Sequence, residues 1–340
     1  MRKAVLLVNL GSPDSPSVGD VRRFLREFLS DPSVIDLPWL LRKALLEGVI
    51  LPLRPKRSAA AYARVWTKEG SPLVALSRRQ AAGLEKRTGL SVHLAMRYGN
   101  PSIESAVGEI VRAGAEEVLA IPMFPHHAAS SYQTAALRVK EVFHSLAPKV
   151  SLTIQPPFYA EEGYIGALAA SAGPYLEKGC DRLLLSFHGI PERHLRKADP
   201  SHGHCLASED CCKTPHPCHA TCYRAQCLRT AELLTCRLGL EPGKVSVSFQ
   251  SRLGKGRWLR PYTFVRLAEI AKEKPERLLV LCPSFVTDCL ETLGEIAQEG
   301  RALYAEAGGG EITLVPCLND SPAFLDFLAA KVRDWERAMR

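Results

Sequence analysis

Eight short apolar runs, each followed by a stretch with helical spacing, constrain this chain more than any other feature. The runs are residues 4–10, 92–96, 118–124, 151–155, 182–187, 245–249, 278–283 and 312–315. Helical patterns fill the gaps at about 18–29, 76–86, 102–113, 136–146, 164–176, 225–238, 263–272, 287–304 and 323–337. Strands that are apolar throughout, alternating with helices, predict an α/β fold with parallel sheets covered on both faces. A chain of 340 residues suits about two such domains. A weak internal echo agrees: VLAIPMFP at 118–125 resembles LLVLCPSF at 278–285. Two similar lobes with a ligand cleft between them would produce it.

Charge and cysteine usage narrow the function. The net charge of +8 suits an anionic ligand or an acidic membrane surface. There is no compact Lys/Arg run and no nucleic-acid motif, so nucleic acid is not expected as a partner. The apolar run after Met1-Arg2-Lys3 lacks a cleavage site in the right place and reads as a first strand, not a signal peptide. No run approaches the ~20 residues of a membrane span. Eleven cysteines, an odd number, without an export signal imply reduced thiols in the cytoplasm. Residues 34–53 are rich in leucine but broken by Pro38, Arg42, Lys43 and Glu47. They fit an amphipathic lid or a helix lying in a membrane interface; an ordinary helix with one face on the core fits the spacing as well.

Three stretches carry the chemistry. The run LLLSFHGIPERH at 183–194 puts His188 where a buried strand stops at Gly189 and Pro191. Ligands in open α/β sheets bind outside the carboxyl ends of the strands. An imidazole there could ligate a metal or take a proton near neutrality, although a lone histidine at a turn is most often simply hydrogen-bonded. Residues 202–227 hold six cysteines, Cys205, Cys211, Cys212, Cys218, Cys222 and Cys227, and four histidines, His202, His204, His216 and His219. With almost no large apolar side chains, this segment needs a bound metal to order it. Thiolates in short loops select zinc, cuprous copper or an iron–sulfur cluster. The loose spacing of Cys205, Cys212, Cys218 and Cys222 leans to iron–sulfur. Finally, Glu291, Glu295 and Glu299 recur every four residues. In an α-helix that spacing drifts by about 40° per step, and winding with i→i+5 bonds would straighten the row. Like charges so placed repel unless a cation or a proton path uses them; a solvated acidic face is the alternative.

Together these stretches resemble the ferrochelatase family, over nearly the whole chain. The carrying motifs are LLVNLGSPDS at 6–15, MRYGNPSIESA at 96–106, SFHGIPERH at 186–194, FQSRLGKGRWLRPYT at 249–263 and CPSFVTDCLETLGEI at 282–296. The resemblance implies a chelatase-like pair of Rossmann-like lobes: residues 1–165, joined by a C-terminal helix 323–340, and residues 166–322 with the Cys-rich insert 202–227. It implies Fe²⁺ insertion into a porphyrin to form haem, with His188 and Glu291 facing each other across the macrocycle and meeting the metal. Glu295 and Glu299 continue the acidic path. Leu10, Arg97, Tyr98 and Trp258 fall at porphyrin-pocket positions. Residues 34–53 correspond to an apolar mouth that can rest on the inner face of the membrane. SFHGIPERH and the motif around Trp258 resemble protoporphyrin-using members more than coproporphyrin-using ones, which favours protoporphyrin IX over coproporphyrin III, and a homodimer is admitted. Two departures stand out. Cys289 occupies a position that is histidine in many members. The insert looks like an internal site for a [2Fe–2S] cluster on Cys205, Cys212, Cys218 and Cys222, with Cys211 and Cys227 as substitutes. The rivals are a non-catalytic iron–sulfur or zinc sensor that binds a partner, and a cobalt chelatase on the same scaffold.

Overall fold

The computed structural model describes residues 2–252, 254 and 256–339. Met1 and Arg340, at the ends of the expected first lobe, and Leu253 and Lys255, in the 249–263 motif, lie outside it. Two four-stranded sheets organise the chain. The first joins β1 (Lys3–Ser12), β2 (Ser91–Gly99), β3 (Glu117–Pro122) and β4 (Ser151–Ile154), in the order β2-β1-β3-β4. The second joins β5 (Arg182–His188), β6 (Val245–Gln250), β7 (Arg277–Leu281) and β8 (Glu311–Leu314), in the order β6-β5-β7-β8. Every pairing is parallel. All eight expected strands form. The central ones read as unbroken apolar runs because both faces are covered: Val5 to Val8 on β1 and Leu184 and Leu185 on β5 are fully buried.

The helices of the first unit are α1 (Val18–Ser30), α2 (Trp39–Leu45), α3 (Leu51–Val65), α4 (Pro72–Thr88), α5 (Ile103–Arg112) and α6 (Thr134–Leu146). Those that follow are α7 (Glu162–Leu176), α8 (Glu192–Ala198), α9 (Tyr223–Arg237), α10 (Thr263–Lys272), α11 (Arg301–Glu306) and α12 (Pro322–Ala338). Ser17 caps α1, its Oγ accepting the Asp20 N–H at 3.1 Å. The apolar face of α1 (Val21, Leu25 and Leu29) packs on Leu46, Leu51 and Ala59. Each such buried side chain stabilises by about 1.5–3 kcal/mol before entropy. Residues up to 123, 129–156 and those from 325 on form one compact unit; residues 124–128 and 157–324 form another.

The leucine-rich stretch is helical, and the helix runs further than its prolines suggest. Between α2 and α3 the chain makes a π-wound turn at Leu46–Ile50. That turn restarts the helix at Leu51, so Pro52 falls in a first turn, where a missing N–H costs little. The solvent side carries Trp39, Leu40, Leu41 and Leu53, each at least 60% exposed. Among the described residues, no helix is long and apolar enough to cross a membrane.

The echo in the sequence has a structural cause: β3 and β7 occupy the same slot in their sheets. Each is also followed by a π-wound segment, Ala129–Gln133 in one case and Leu290–Gly300 in the other. Past the second strand of each sheet the chain makes one parallel bridge, Met96 with Ser102 and Phe249 with Tyr262. The Met96 N–H donates to Pro101 O at 2.7 Å, and the Phe249 N–H to Pro261 O at 2.8 Å.

Candidate active site

His188 is the last residue of β5, paired with Gln250 on β6. Gly189 must be glycine here, because a Cβ would sit 2.6 Å from Gln250 O and 3.4 Å from the Trp258 ring. The strand therefore ends tight against its neighbour, and the imidazole is held at that edge. Side chains hold the His188 peptide on both sides. Its N–H donates to Ser284 Oγ at 2.8 Å, and its carbonyl accepts from Tyr223 Oη at 2.8 Å. The Phe285 ring stands edge-on, 5.9 Å away. Burial pushes the imidazole pKa down, while the Glu291 carboxylate and a hydrogen bond at the Gly189 backbone pull it back up. Desolvation wins, so the neutral ring is favoured.

The acidic row lies on the π-wound segment Leu290–Gly300. Its i→i+5 winding takes more than four residues per turn, which removes the forward drift that an α-helix gives a four-residue spacing. Thr292 anchors the start: its Oγ1 accepts the Cys289 N–H at 3.0 Å and donates to Asp288 at 2.8 Å. Asp288 in turn accepts from Asn319 Nδ2 at 2.7 Å. Glu291 and Glu295 are partly buried and Glu299 is exposed, so the row runs outward. Burial raises the Glu295 pKa; hydrogen bonds from the Ser251 hydroxyl and N–H oppose it, and the neighbouring Glu291 charge adds to it. The Ser251 N–H bond is 2.7 Å long. Gln250 ties the row to the strands, accepting from Ser186 Oγ at 2.7 Å and donating to Glu291 O at 2.8 Å. Cys289 is buried and its thiol pKa is pushed well up by desolvation and by Glu291, so it stays protonated.

The Cys-rich segment follows α8, and Thr221 Oγ1 ties it back to the helix end by donating to the Ala198 carbonyl at 2.7 Å. Asp199 organises its start, accepting the backbone N–H groups of Cys205 and His204, each at 2.8 Å. These bonds hold its carboxyl well below the usual range. Cys205 and Cys218 place their sulfurs 3.7 Å apart. Two sulfurs each ~2.3 Å from one tetrahedral metal would lie about 3.8 Å apart. Cys212 hydrogen-bonds Cys222, and Cys222 also bonds Cys205, so four thiols converge as two linked pairs. The bond from Cys212, against burial, lowers the Cys222 pKa to about 6. Cys205, Cys218 and Cys222 are buried. Cys211 lies 3.9 Å from Cys212 and 3.7 Å from an Arg224 nitrogen, at the edge of the group. Cys227 hydrogen-bonds Tyr223 on α9. The His204 and His216 rings stack at 3.8 Å.

The remaining candidates divide between the units. Trp258 lies in the second, bridged to Pro191 and packed over Gly189, beside the turn that follows His188. Leu10, Arg97 and Tyr98 lie in the first, near the carboxyl ends of β1 and β2. There Asp31 accepts from Arg97 Nη2 at 2.6 Å, Tyr98 Oη at 2.8 Å and Thr134 Oγ1 at 2.6 Å. Burial alone would raise its pKa, but those bonds, the Ser33 N–H and the Arg97 charge outweigh it and hold the carboxylate ionised.

A family model described as Ferrochelatase matches residues 2–335. The chain belongs to the ferrochelatase family. It is 54% identical to the ferrochelatase of Azotobacter vinelandii over 332 residues, 97% of this chain and 98% of that one. It is 51% identical to the ferrochelatase of Opitutus terrae over 339 residues, 99% of this chain and 98% of that one. Among solved structures, SirB from Bacillus subtilis with Fe³⁺ shares the fold, with a TM-score of 0.55 at 14% identity, covering 98% of this chain and 95% of that one. The ferrochelatase motifs pick out His188 and the glutamates. They do not single out the residues that hold them, namely Ser251, Gln250, Ser284 and Tyr223, or Asp31 and Thr134 around Arg97. Gln250 and Ser251 stand inside a quoted motif, and their polarity directly after an apolar strand was the one available signal. The contacts by which Asp31, Tyr223 and Ser284 hold Arg97 and His188 are tertiary, which spacing cannot show.

Proposed function

We propose that His188 accepts a pyrrole proton, and that Glu291, Glu295 and Glu299 deliver Fe²⁺ or carry protons away. The reaction is that of the ferrochelatase family: Fe²⁺ is inserted into a porphyrin in haem synthesis, and the pyrrole N–H protons leave. The observation that supports the assignment is a partly buried imidazole at the end of β5 that feels the charge of Glu291. Burial favours the neutral imidazole and Glu291 favours the protonated one, so the ring is neutral before the proton arrives and a charge stands by to stabilise it afterwards. Glu295, with its raised pKa, can hold a proton next in line. Leu10, Arg97, Tyr98 and Trp258 would bind the porphyrin, with protoporphyrin IX favoured. Anaerobic incubation of the purified protein with protoporphyrin IX and Fe²⁺, followed at the Soret band, should give haem. Metalation by Co²⁺ alone would favour the cobalt chelatase, and no metalation of any tetrapyrrole would favour the sensor.

The insert would hold a [2Fe–2S] cluster on Cys205, Cys212, Cys218 and Cys222. Two linked thiol pairs suit two irons, and soft thiolate donors suit the group. A cluster would supply folding free energy to a segment without an apolar core. A second reading has its own observation: ligand atoms of His204, His216 and Cys218 lie within 4.8 Å of one another, a mixed set that suits zinc. Protein purified without oxygen should be coloured and contain iron and acid-labile sulfide; colourless protein with one tight zinc would overturn the cluster.

The exposed apolar face of α2 and α3, beside Lys43, Arg54, Lys56 and Arg57, would rest on an anionic membrane surface. Flotation with anionic liposomes should be salt-sensitive and weakened by Leu40→Asp, whereas equal recovery with and without lipid counts against it. A homodimer is a further part of the proposal, testable by sedimentation.

A further inference from the structure

His188 ends a strand, so half of the ladder that would fix its peptide is missing. Three side-chain and backbone groups replace it in a closed ring. The His188 N–H donates to Ser284 Oγ at 2.8 Å. The Ser284 hydroxyl bonds to Tyr223 Oη. Tyr223 Oη donates to the His188 carbonyl at 2.8 Å. Each group in the ring gives one hydrogen bond and takes one. Tyr223 is buried, 4% exposed, its ring edge-on to His126 at 5.8 Å, while His188 and Ser284 are partly buried.

The route by which Tyr223 arrives matters as much as the bond. The chain leaves His188 through Gly189, passes α8, and runs through most of the Cys-rich insert. It then returns to the same strand end at Tyr223, the residue directly after Cys222. Cys222 is the N-cap of α9, and its N–H donates to Cys218 O at 2.8 Å. Gln226, one turn further on, binds the insert's Ala220 carbonyl at 2.9 Å and the His127 N–H at 2.7 Å. Insert and strand end therefore share one short rigid piece, the first turn of α9.

We infer that Tyr223 is a positioning residue for His188, and that through it the ordering of the thiol group at Cys222 sets the placement of the imidazole. The second clause rests on the reading of Cys222 as a cluster ligand, and the catalytic consequence rests on His188 as the proton acceptor. A displacement of about 1 Å in a catalytic group can cost up to ~10²-fold in rate, so a peptide held by two side-chain bonds is a sensitive point.

The test uses the full-length protein purified without oxygen. Tyr223→Phe keeps the ring and removes only the hydroxyl; Ser284→Ala removes the other side of the clamp. With protoporphyrin IX and Fe²⁺, each should lower kcat about tenfold, with KM for porphyrin and the iron and sulfide content unchanged. The double variant should be no worse than twofold below the poorer single one, because both bonds hold one residue. Cys222→Ser should also lower kcat, and in a Tyr223→Phe background it should add less than twofold. A purely structural role would lower protein yield and porphyrin affinity without this pattern. Histidine ring NMR gives a readout free of turnover: the resonance lost in His188→Ala should move in Tyr223→Phe. If it moves while His188→Ala keeps its turnover, the positioning stands and the base assignment falls. Unmoved resonance with wild-type kcat in Tyr223→Phe overturns the positioning. Independent, multiplying losses for Tyr223→Phe and Cys222→Ser overturn the link to the insert.

Discussion

In the first sheet β1 ends against β2 at Gly11, where a Cβ would lie 1.8 Å from the Tyr98 carbonyl oxygen. In the second, β5 ends against β6 at Gly189, where the clash would be with the Gln250 carbonyl at 2.6 Å. Strand order, direction and the π-wound segment after the third strand also correspond. The groups at the two ends are treated oppositely. Asp31 receives Arg97, Tyr98 and Thr134 and is held charged. His188 and Glu295 are pushed toward their neutral forms, mainly by burial. A scaffold used twice thus separates two tasks. A carboxylate whose partners are all supplied is a fixed charge that fastens structure; an imidazole and a carboxyl short of compensation are poised to exchange protons.

The comparison breaks most visibly at Asp31. Asp31→Ala leaves the Arg97 guanidinium among buried groups without its counter-charge, which should destabilise by about 3–5 kcal/mol. Urea denaturation measures this, and a loss below ~1 kcal/mol would mean the network is not the fastening we describe. Glu295→Gln should do the reverse. Stability at neutral pH should hold or rise, while kcat at saturating porphyrin falls roughly tenfold, within the span of positioned acid–base groups. A stability loss with kcat intact would erase the distinction between the two ends.

Acid titration sharpens the contrast with a smaller effect. The Asp31 pKa is lowered on folding, so its stabilisation is full above the unfolded value of ~3.9 and is lost as pH falls through the lower folded value. Glu295 has the opposite sign. Its pKa is raised on folding, so it subtracts stability above the folded value, and the penalty disappears as pH falls toward the unfolded ~4.3. Wild-type stability relative to Asp31→Asn should therefore shrink on acidification. Relative to Glu295→Gln it should grow. Parallel trends for the two variants would contradict the assignment.

The strands were legible because burial on both faces leaves unbroken apolar runs inside β1, β3, β5 and β7, at residues 4–8, 118–121, 183–185 and 278–281. The acidic row was legible as a spacing, but its winding was not, and neither were the bonds among Asp288, Thr292 and Asn319 that anchor its start. Helix α8 was hidden inside a motif too short to show a period, and α3 was hidden by Pro52 and Pro55. By composition the cysteines pointed to a metal, and in space four of the thiols converge. Which sulfurs converge depends on Asp199 turning the backbone at His204 and Cys205, a tertiary event that spacing does not encode. Asp31 and Tyr223 were invisible for the same reason.

The central claim is that chemistry resides at the end of β5. Its most direct test is kcat for His188→Ala at saturating porphyrin and Fe²⁺, with porphyrin binding and thermal stability measured on the same preparation. We expect a loss of ~10²–10⁴-fold in kcat, with porphyrin still bound and Tm little changed. Turnover near that of the wild type would contradict the account, however well the rest of the chain matched its family.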